Sequence, residues 1–268
     1  MKESFGRGAP SALRGRLAEV YFPALVSSQS DSLAERLGER ATVDDPVFGR
    51  ASGLPEITAR LRESAAWLAT RDPSFESNGL IAGSDRDVNE GFLSLRLGGE
   101  TFRLPVAVVA ERRREREVIL RLYYSTKKLL PTAKKSARAA LSTDGEVVVP
   151  PPVKAHIDAL ERGNLDAVVR SFEEGATVRD AAGETHAKLG GGGPLRAYFE
   201  RRLDANASSR GMQLVHNARA DDGRACALEY TVVCLRGEPV PPRPCLAVYE
   251  RGESGLLRTV RLYDDVTD

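Results

Sequence analysis

The chain has 268 residues, with 39 basic and 38 acidic side chains and a formal net charge of +1. A balance this close to neutral gives no support for nucleic acid or a membrane surface as a partner. Hydrophobic residues make up 41% of the chain, which is typical of a globular protein, and the length predicts two domains. The N-terminus lacks the apolar core of a signal peptide, and no run reaches the roughly eighteen apolar residues of a membrane span, so we expect a cytoplasmic protein.

The cysteines and histidines give no pattern typical of a metal or disulfide site. Three cysteines lie in the second half without a C-x-x-C pair, and we expect them to be buried and reduced. The histidines are about thirty residues apart, so we expect no metal. The glycines at 190–193 precede a predicted helix but lack the Lys and Ser/Thr of a phosphate-binding loop, and we expect no cofactor.

The first half predicts helices followed by strands. Apolar spacing indicates a helix up to Leu25, and a second helix follows Ser30. A strand begins at Ala41, turns at Asp45-Pro46, and is followed by a helix that opens at Gly53-Leu54-Pro55. Four strands are then predicted, at Phe75–Ala82, Gly91–Leu97, Thr101–Ala110 and Val118–Tyr124. Since βαβ alternation is missing, the predicted class is α+β.

A change of composition separates the two halves. Residues 126–152 contain a basic stretch and end in Pro150-Pro151-Pro152, which we interpret as an extended linker. The predicted domains are therefore residues 11–125 and 153–268, with the linker between them.

The second half repeats the order of the first. Ala176-Thr177-Val178-Arg179-Asp180 matches Ala41-Thr42-Val43-Asp44-Asp45 at an offset of 135 residues. Arg261-Leu262-Tyr263 matches Arg121-Leu122-Tyr123 at an offset of 140. Ordered landmarks at similar offsets indicate a tandem repeat.

These landmarks resemble the nuclear transport factor 2-like superfamily, and most closely its branch of ketosteroid isomerases and SnoaL-like polyketide cyclases. The resemblance covers most of both halves and implies two cone-shaped α+β barrel domains. In each domain three helices would pack on a curved, mostly antiparallel sheet around an apolar pocket.

The resemblance also implies candidate catalytic residues. The general base of the isomerases falls at Asp45 in the first copy and at Asp180 in the second. A hydrogen-bond donor 24 positions earlier corresponds to Tyr21 and His156. Such a pair would move a proton at a carbon acid while the donor holds the enolate oxygen.

Late strands supply the remaining candidates. The second, protonated acid of the isomerases would fall near Ala107 and Ala247, so it is missing from both copies. The acidic base of SnoaL-like cyclases corresponds to Asp264 or Asp265 in the second copy, while Tyr124 and Ser125 take those places in the first. We expect Phe48, Trp67, Tyr124 and Asp264 to line the pockets.

Two functions fit this pattern. The first is a small-molecule enzyme, an isomerase or cyclase that acts on an apolar carbonyl compound with Asp45 as base. The second is a non-catalytic ligand-binding or scaffold protein in which Asp45 holds a local turn and Tyr21 is a packing aromatic. In this second hypothesis the two domains form an intramolecular pseudo-dimer, sheet against sheet, which is compatible with a monomer in solution.

Overall fold

A computed structural model describes residues 16–113, 117–127, 129, 141–143, 145–203, 212–235 and 238–263. The first unit contains α1 (Leu17–Val26), α2 (Ser30–Leu37), β1 (Ala41–Asp45), β2 (Gly49–Ser52), α3 (Leu54–Ala69), β3 (Ser74–Ala82), β4 (Arg86–Leu97), β5 (Glu100–Arg112) and β6 (Val118–Tyr124). The second unit contains α4 (Pro151–Glu161), α5 (Leu165–Arg170), β7 (Phe172–Arg179), β8 (Thr185–Ala187), α6 (Gly193–Leu203), β9 (Gln213–Asp221), β10 (Ala225–Leu235), β11 (Glu238–Arg251) and β12 (Leu257–Leu262). Each unit therefore shows the same order of three helices and six strands.

The two sheets have the same topology. The strand order is β2-β1-β6-β5-β4-β3 in the first unit and β8-β7-β12-β11-β10-β9 in the second. Each sheet contains one parallel pair, β1 with β6 and β7 with β12, and its other neighbours are antiparallel. The predicted α+β class, with three helices and a mostly antiparallel sheet in each repeat, is confirmed.

Prolines mark the starts of two helices. Pro55 lies in the first turn of α3, after the N-cap residue Gly53, as the sequence predicted. Pro151 and Pro152 likewise open α4, where a missing N–H costs nothing because the first amides of a helix have no intrahelical partner. The prediction that these two residues belong to an extended linker was therefore wrong, and only Pro150, the N-cap, keeps the extended backbone.

Each unit has its own hydrophobic core between its helices and one face of its sheet. In the first unit Leu33, Leu61 and Leu122 are among the buried core residues. In the second, Ile157, Phe199 and Leu228 are part of the equivalent cluster. Among the described helices, none combines the length and the apolar character that crossing a bilayer requires.

A third core joins the outer faces of the two sheets. Its buried members from the first unit are Ile81, Val88, Ala107, Val109 and Tyr123; those from the second are Ala220, Ala225, Ala227, Leu246, Val248 and Tyr263. Residues such as Val109 and Val248, or Tyr123 and Tyr263, occupy corresponding positions of the two repeats, so the contact has approximate twofold symmetry. The two units therefore form an intramolecular pseudo-dimer, sheet against sheet.

Two reciprocal clusters of polar side chains cross this third core, and we call them the interface clamps. In the first clamp, Arg121 donates from Nε and Nη2 to the carboxylate of Glu229, at 2.6 and 2.8 Å, and Tyr123 donates its hydroxyl proton at 2.6 Å. In the second clamp, Arg261 makes the same pair of bonds to Glu90, both at 2.8 Å.

The second clamp is completed by Tyr263, whose hydroxyl donates to Glu90 at 2.6 Å. Each carboxylate therefore accepts two hydrogen bonds from a bidentate guanidinium and one from a tyrosine hydroxyl of the opposite unit. This geometry compensates a buried charge well, because the planar guanidinium matches both carboxylate oxygens. The arginine and the tyrosine of each Arg-Leu-Tyr landmark thus bind a glutamate of the opposite unit.

Candidate functional site

Asp45 ends β1 and organises the turn that follows it. Its Oδ1 atom accepts hydrogen bonds from the backbone amides of Val47, at 2.7 Å, and Phe48, at 2.9 Å. The same oxygen accepts a third bond from the hydroxyl of Tyr124, at 2.8 Å. Because Asp45 is only 4% exposed, these donors supply the polar partners that a buried carboxylate requires.

Tyr21 lies in the core of the first unit, on α1. The residue is 1% exposed and packs edge-on against Phe22, with ring centroids 5.4 Å apart. Burial raises the pKa of Tyr21 well above its usual range, and the negative charge of Asp45 raises it further. Tyr21 is therefore a protonated, neutral hydrogen-bonding group within electrostatic reach of Asp45.

Phe48 and Trp67 lie together at the edge of this turn. Both are half-buried, and their rings meet edge to face at a centroid distance of 6.3 Å. The guanidinium of Arg71 lies 3.8 Å from the centre of the Trp67 ring, and that of Arg60 lies 6.0 Å from the centre of the Phe48 ring. These aromatic residues therefore make cation–π contacts beside the Asp45 turn.

In the second unit, Asp180 occupies the position equivalent to Asp45 and has different neighbours. Its Oδ1 accepts the backbone amide of Glu184 at 2.9 Å, and its Oδ2 lies 3.3 Å from Nε2 of His186. Suitable ligand atoms of Asp180, Glu184 and His186 all lie within 4.8 Å of one another. This group was not predicted from the sequence, where it has the spacing D-x-x-x-E-x-H.

His156 is buried elsewhere in the same unit. It is 1% exposed, its Nδ1 lies 2.8 Å from Oγ of Ser171, and its ring meets Phe172 edge to face. Burial lowers its pKa from 6.5 to about 3, so the imidazole is neutral at physiological pH. The structure does not bring His156 and Asp180, the pair expected from the sequence, into contact.

A narrow cavity of about 20 Å³ lies next to His156, between α4, α6 and the sheet. It is lined by His156, Leu160, Phe199, Arg202, Met212, Leu214, Tyr230, Tyr249, Val260 and Leu262. The described lining contains no carboxylate, and the volume suits about one water molecule.

Late strands offer no acid at the positions where the resemblance would require one. Ala107 lies in the core between the units, so the inward-facing neighbour is Val108, which pairs with Leu122. In the second unit Ala247 faces inward and pairs with Leu262. The inward position is thus Val108, next to Ala107, in the first copy and Ala247 in the second, and neither is acidic. Asp264 and Asp265 lie outside the described residues.

Neither a family model nor a curated protein matches this chain. Solved structures do match. The chain resembles NTF2-like structures. An NTF2-like protein of unknown function from Cytophaga hutchinsonii is 15% identical, with a TM-score of 0.33, and the match covers 46% of this chain and 95% of that one.

Two further structures match to a similar extent. A protein with a ketosteroid isomerase-like fold from Catenulispora acidiphila, in complex with trimethylamine, is 16% identical, with a TM-score of 0.36 and coverage of 43% of this chain and 90% of that one. A protein assigned to the SnoaL-like polyketide cyclases, from Shewanella denitrificans, is 16% identical, with a TM-score of 0.33 and coverage of 44% and 96%. The resemblance expected from the sequence is thus found again among solved structures, each of which spans less than half of this chain.

Proposed function

We propose that this chain is a non-catalytic scaffold protein, built from two fused units, in which Asp45 is a structural carboxylate. The observation that carries the proposal is the convergence of three hydrogen-bond donors on Asp45 Oδ1. These three donors fix Oδ1 within the turn, so a structural role accounts for the buried carboxylate without a substrate. Its role is to satisfy the turn and to tie β1 to β6.

The second unit supports the same interpretation. Asp180 also accepts a backbone amide of the turn that follows its strand, so the shared role of the two acids is local. The donor expected for Asp180, His156, lies apart from it among aromatic rings. Val108 and Ala247 occupy the inward positions where the resemblance would place a second, acidic group to stabilise an enolate oxygen, and neither side chain can do so.

A proton-transfer enzyme is the second candidate, and one observation favours it. The charge of Asp45 acts on the buried hydroxyl of Tyr21, so a base and a neutral donor lie near each other as the resemblance implies. In this alternative, Asp45 would remove a proton next to the carbonyl of a small apolar molecule, and Tyr21 would donate to the enolate oxygen.

Two substitutions of Asp45 separate the candidates. Asp45→Asn keeps an oxygen that can accept the amides of Val47 and Phe48 but removes the base, whereas Asp45→Ala removes both functions. A scaffold predicts no turnover of a β,γ-unsaturated ketone by the wild type. It also predicts a loss of about 1–3 kcal/mol of unfolding free energy in the Ala variant and a smaller loss in the Asn variant.

The assay would follow formation of the conjugated ketone by its ultraviolet absorbance, alongside urea unfolding of each variant. Asp180→Asn is the matched control, because it makes the same chemical change in the other unit. Turnover by the wild type that falls at least a hundredfold in Asp45→Asn, with unchanged unfolding and with Asp180→Asn still active, would refute the scaffold proposal.

A further inference from the structure

The hairpin of β7 and β8 carries three side chains with the chemistry of metal ligands. Asp180 follows the last residue of β7, Glu184 directly precedes β8, and His186 lies within β8. One carboxylate oxygen from each acid and an imidazole nitrogen lie within 4.8 Å of one another. Carboxylate oxygen and imidazole nitrogen are both good ligands for zinc.

Backbone bonds hold the first two ligands in place. The amide of Asp180 donates to the carbonyl of Glu184 at 2.9 Å, and the amide of Gly183 donates to the carbonyl of Asp180 at 3.1 Å. The side chain of Asp180 uses Oδ1 to accept the amide of Glu184, which directs Oδ2 towards His186.

The imidazole is positioned from the opposite side. The His186 ring stacks on Tyr198 of α6, with a centroid distance of 4.4 Å and an angle of 20° between planes. Nε2 then lies 3.3 Å from Oδ2 of Asp180. Two ligands of a tetrahedral zinc ion, each about 2.0–2.1 Å from the metal, are separated by about 3.3 Å. The observed spacing, which is also that of a hydrogen bond, would let both atoms bind one zinc ion without moving apart.

Charge supplies a second, independent argument. Among the residues that the structure describes, Asp180 forms an ion pair with His186 only, and Glu184 forms none. Asp221, whose side chain is about as buried as that of Asp180, is instead paired with Arg251 at 2.7 Å. Asp180 is partly buried, with its side chain 19% exposed, so a cation beside it would compensate its charge.

The first unit provides an internal comparison. The strand registers place Gly49 and Ala51 at the positions of Glu184 and His186, while Asp45 corresponds to Asp180. Asp45 is satisfied by Tyr124 and backbone amides without either additional ligand. The turn therefore does not need a glutamate and a histidine to form, and their presence in the second unit calls for another explanation.

We propose that Asp180, Glu184 and His186 bind a divalent transition-metal ion of the zinc type, with water completing the coordination. The ion would clip β8 to the end of β7 and stabilise the second unit. This site is independent of the scaffold role proposed for Asp45, and its failure would leave that role untouched.

The test is isothermal titration of the reduced, full-length protein with Zn²⁺ alone, together with thermal unfolding in the presence and absence of the ion. We expect a single site and a higher melting temperature with Zn²⁺ at roughly 100 times the Kd. His186→Ala and Glu184→Gln should each weaken binding by at least about tenfold, which at the same Zn²⁺ concentration reduces the thermal shift to about half or less. Glu184 is exposed, so its substitution tests the site without disturbing the core.

Two control variants match these changes. Glu200→Gln alters an exposed acid on α6, and His216→Ala removes a histidine from β9; both should bind Zn²⁺ like the wild type. Failure of the wild type to bind Zn²⁺ at roughly 100 μM would overturn the proposal. Binding that persists unchanged in His186→Ala would overturn it too, because the ion would then sit elsewhere, for example on the cysteine thiols.

Discussion

Removing one interface-clamp carboxylate should strongly destabilise the whole chain. Glu229→Ala takes away the acceptor for Arg121 and Tyr123, which donate to it at 2.6–2.8 Å in a site where Glu229 is 1% exposed. Breaking a buried ion pair by deleting one partner costs about 3–5 kcal/mol. We expect the lower part of that range, because Arg121 keeps a second carboxylate, Glu111, at 2.7 Å.

Urea unfolding followed by two signals measures this loss. Circular dichroism reports on both units, whereas fluorescence of Trp67, the single tryptophan, reports on the first unit alone. In the wild type the two transitions should coincide, and in Glu229→Ala they should move to lower urea and separate. Glu90→Ala, the repeat-related change, should behave alike, because Arg261 also keeps a second carboxylate, Glu250, at 3.0 Å.

Asp31→Ala is the control for this experiment, since it breaks an exposed ion pair with Arg62 and should leave the midpoint unchanged. A loss below about 1 kcal/mol in either clamp variant would refute the reasoning, because the buried carboxylate would then contribute no more than a surface pair.

Three further predictions concern pH. Burial lowers the pKa of His156 to about 3, so between pH 6.5 and 3 the unfolded chain binds a proton that the folded chain does not. The free energy of unfolding should therefore fall by up to about 1.4 kcal/mol per pH unit as pH drops below 6.5. His156→Phe should remove this contribution in urea titrations repeated at several pH values. Burial also raises the pKa of Tyr21 and of Tyr263, each with help from a nearby carboxylate. Their stabilisation is complete below pH 10 and lost above it, so absorbance at alkaline pH should show at least two fewer tyrosines ionising near pH 10 in the folded than in the unfolded chain. Burial opposes ionisation of Glu111, but the hydrogen bond from Arg113 and the charge of Arg121 outweigh burial and lower the pKa of Glu111 to about 2. The contribution of Glu111 to stability should be present above pH 4.5 and lost as pH falls towards 2. Acid unfolding of Glu111→Gln should lack this pH-dependent loss of stability.

The repeat could be predicted because local signals occur twice in the same order. The strand that ends at Asp45 and the one that ends at Asp180 share a short apolar run before an acid, and the helix after Gly53 carries its proline where helices accept one. Such features depend on neighbours in sequence, so a single chain reveals them. Pro151 was misassigned because a proline run is compatible with both an extended segment and a first helical turn.

The partners of the candidate residues could not be predicted in the same way. Alternation along a strand places Arg121 and Tyr123 on one face, but their acceptor Glu229 is 108 residues away from Arg121. The proximity of Asp45 to Tyr124 likewise depends on β1 lying parallel to β6, a pairing between distant segments. The group of Asp180, Glu184 and His186 is local, because all three residues lie within seven positions of one hairpin, so its signal is present in the sequence itself.

Carrying both halves of a twofold contact on one polypeptide changes how that contact responds to dilution. Two separate subunits would part as their concentration falls, whereas the covalent connection between β6 and α4 keeps the facing sheets at a fixed effective concentration. The clamps therefore act within a single molecule, and the melting temperature of the chain should not depend on how dilute the protein is. The fusion also lets each half change without forcing the same change on the other, as Ala51 and His186 illustrate at one shared position.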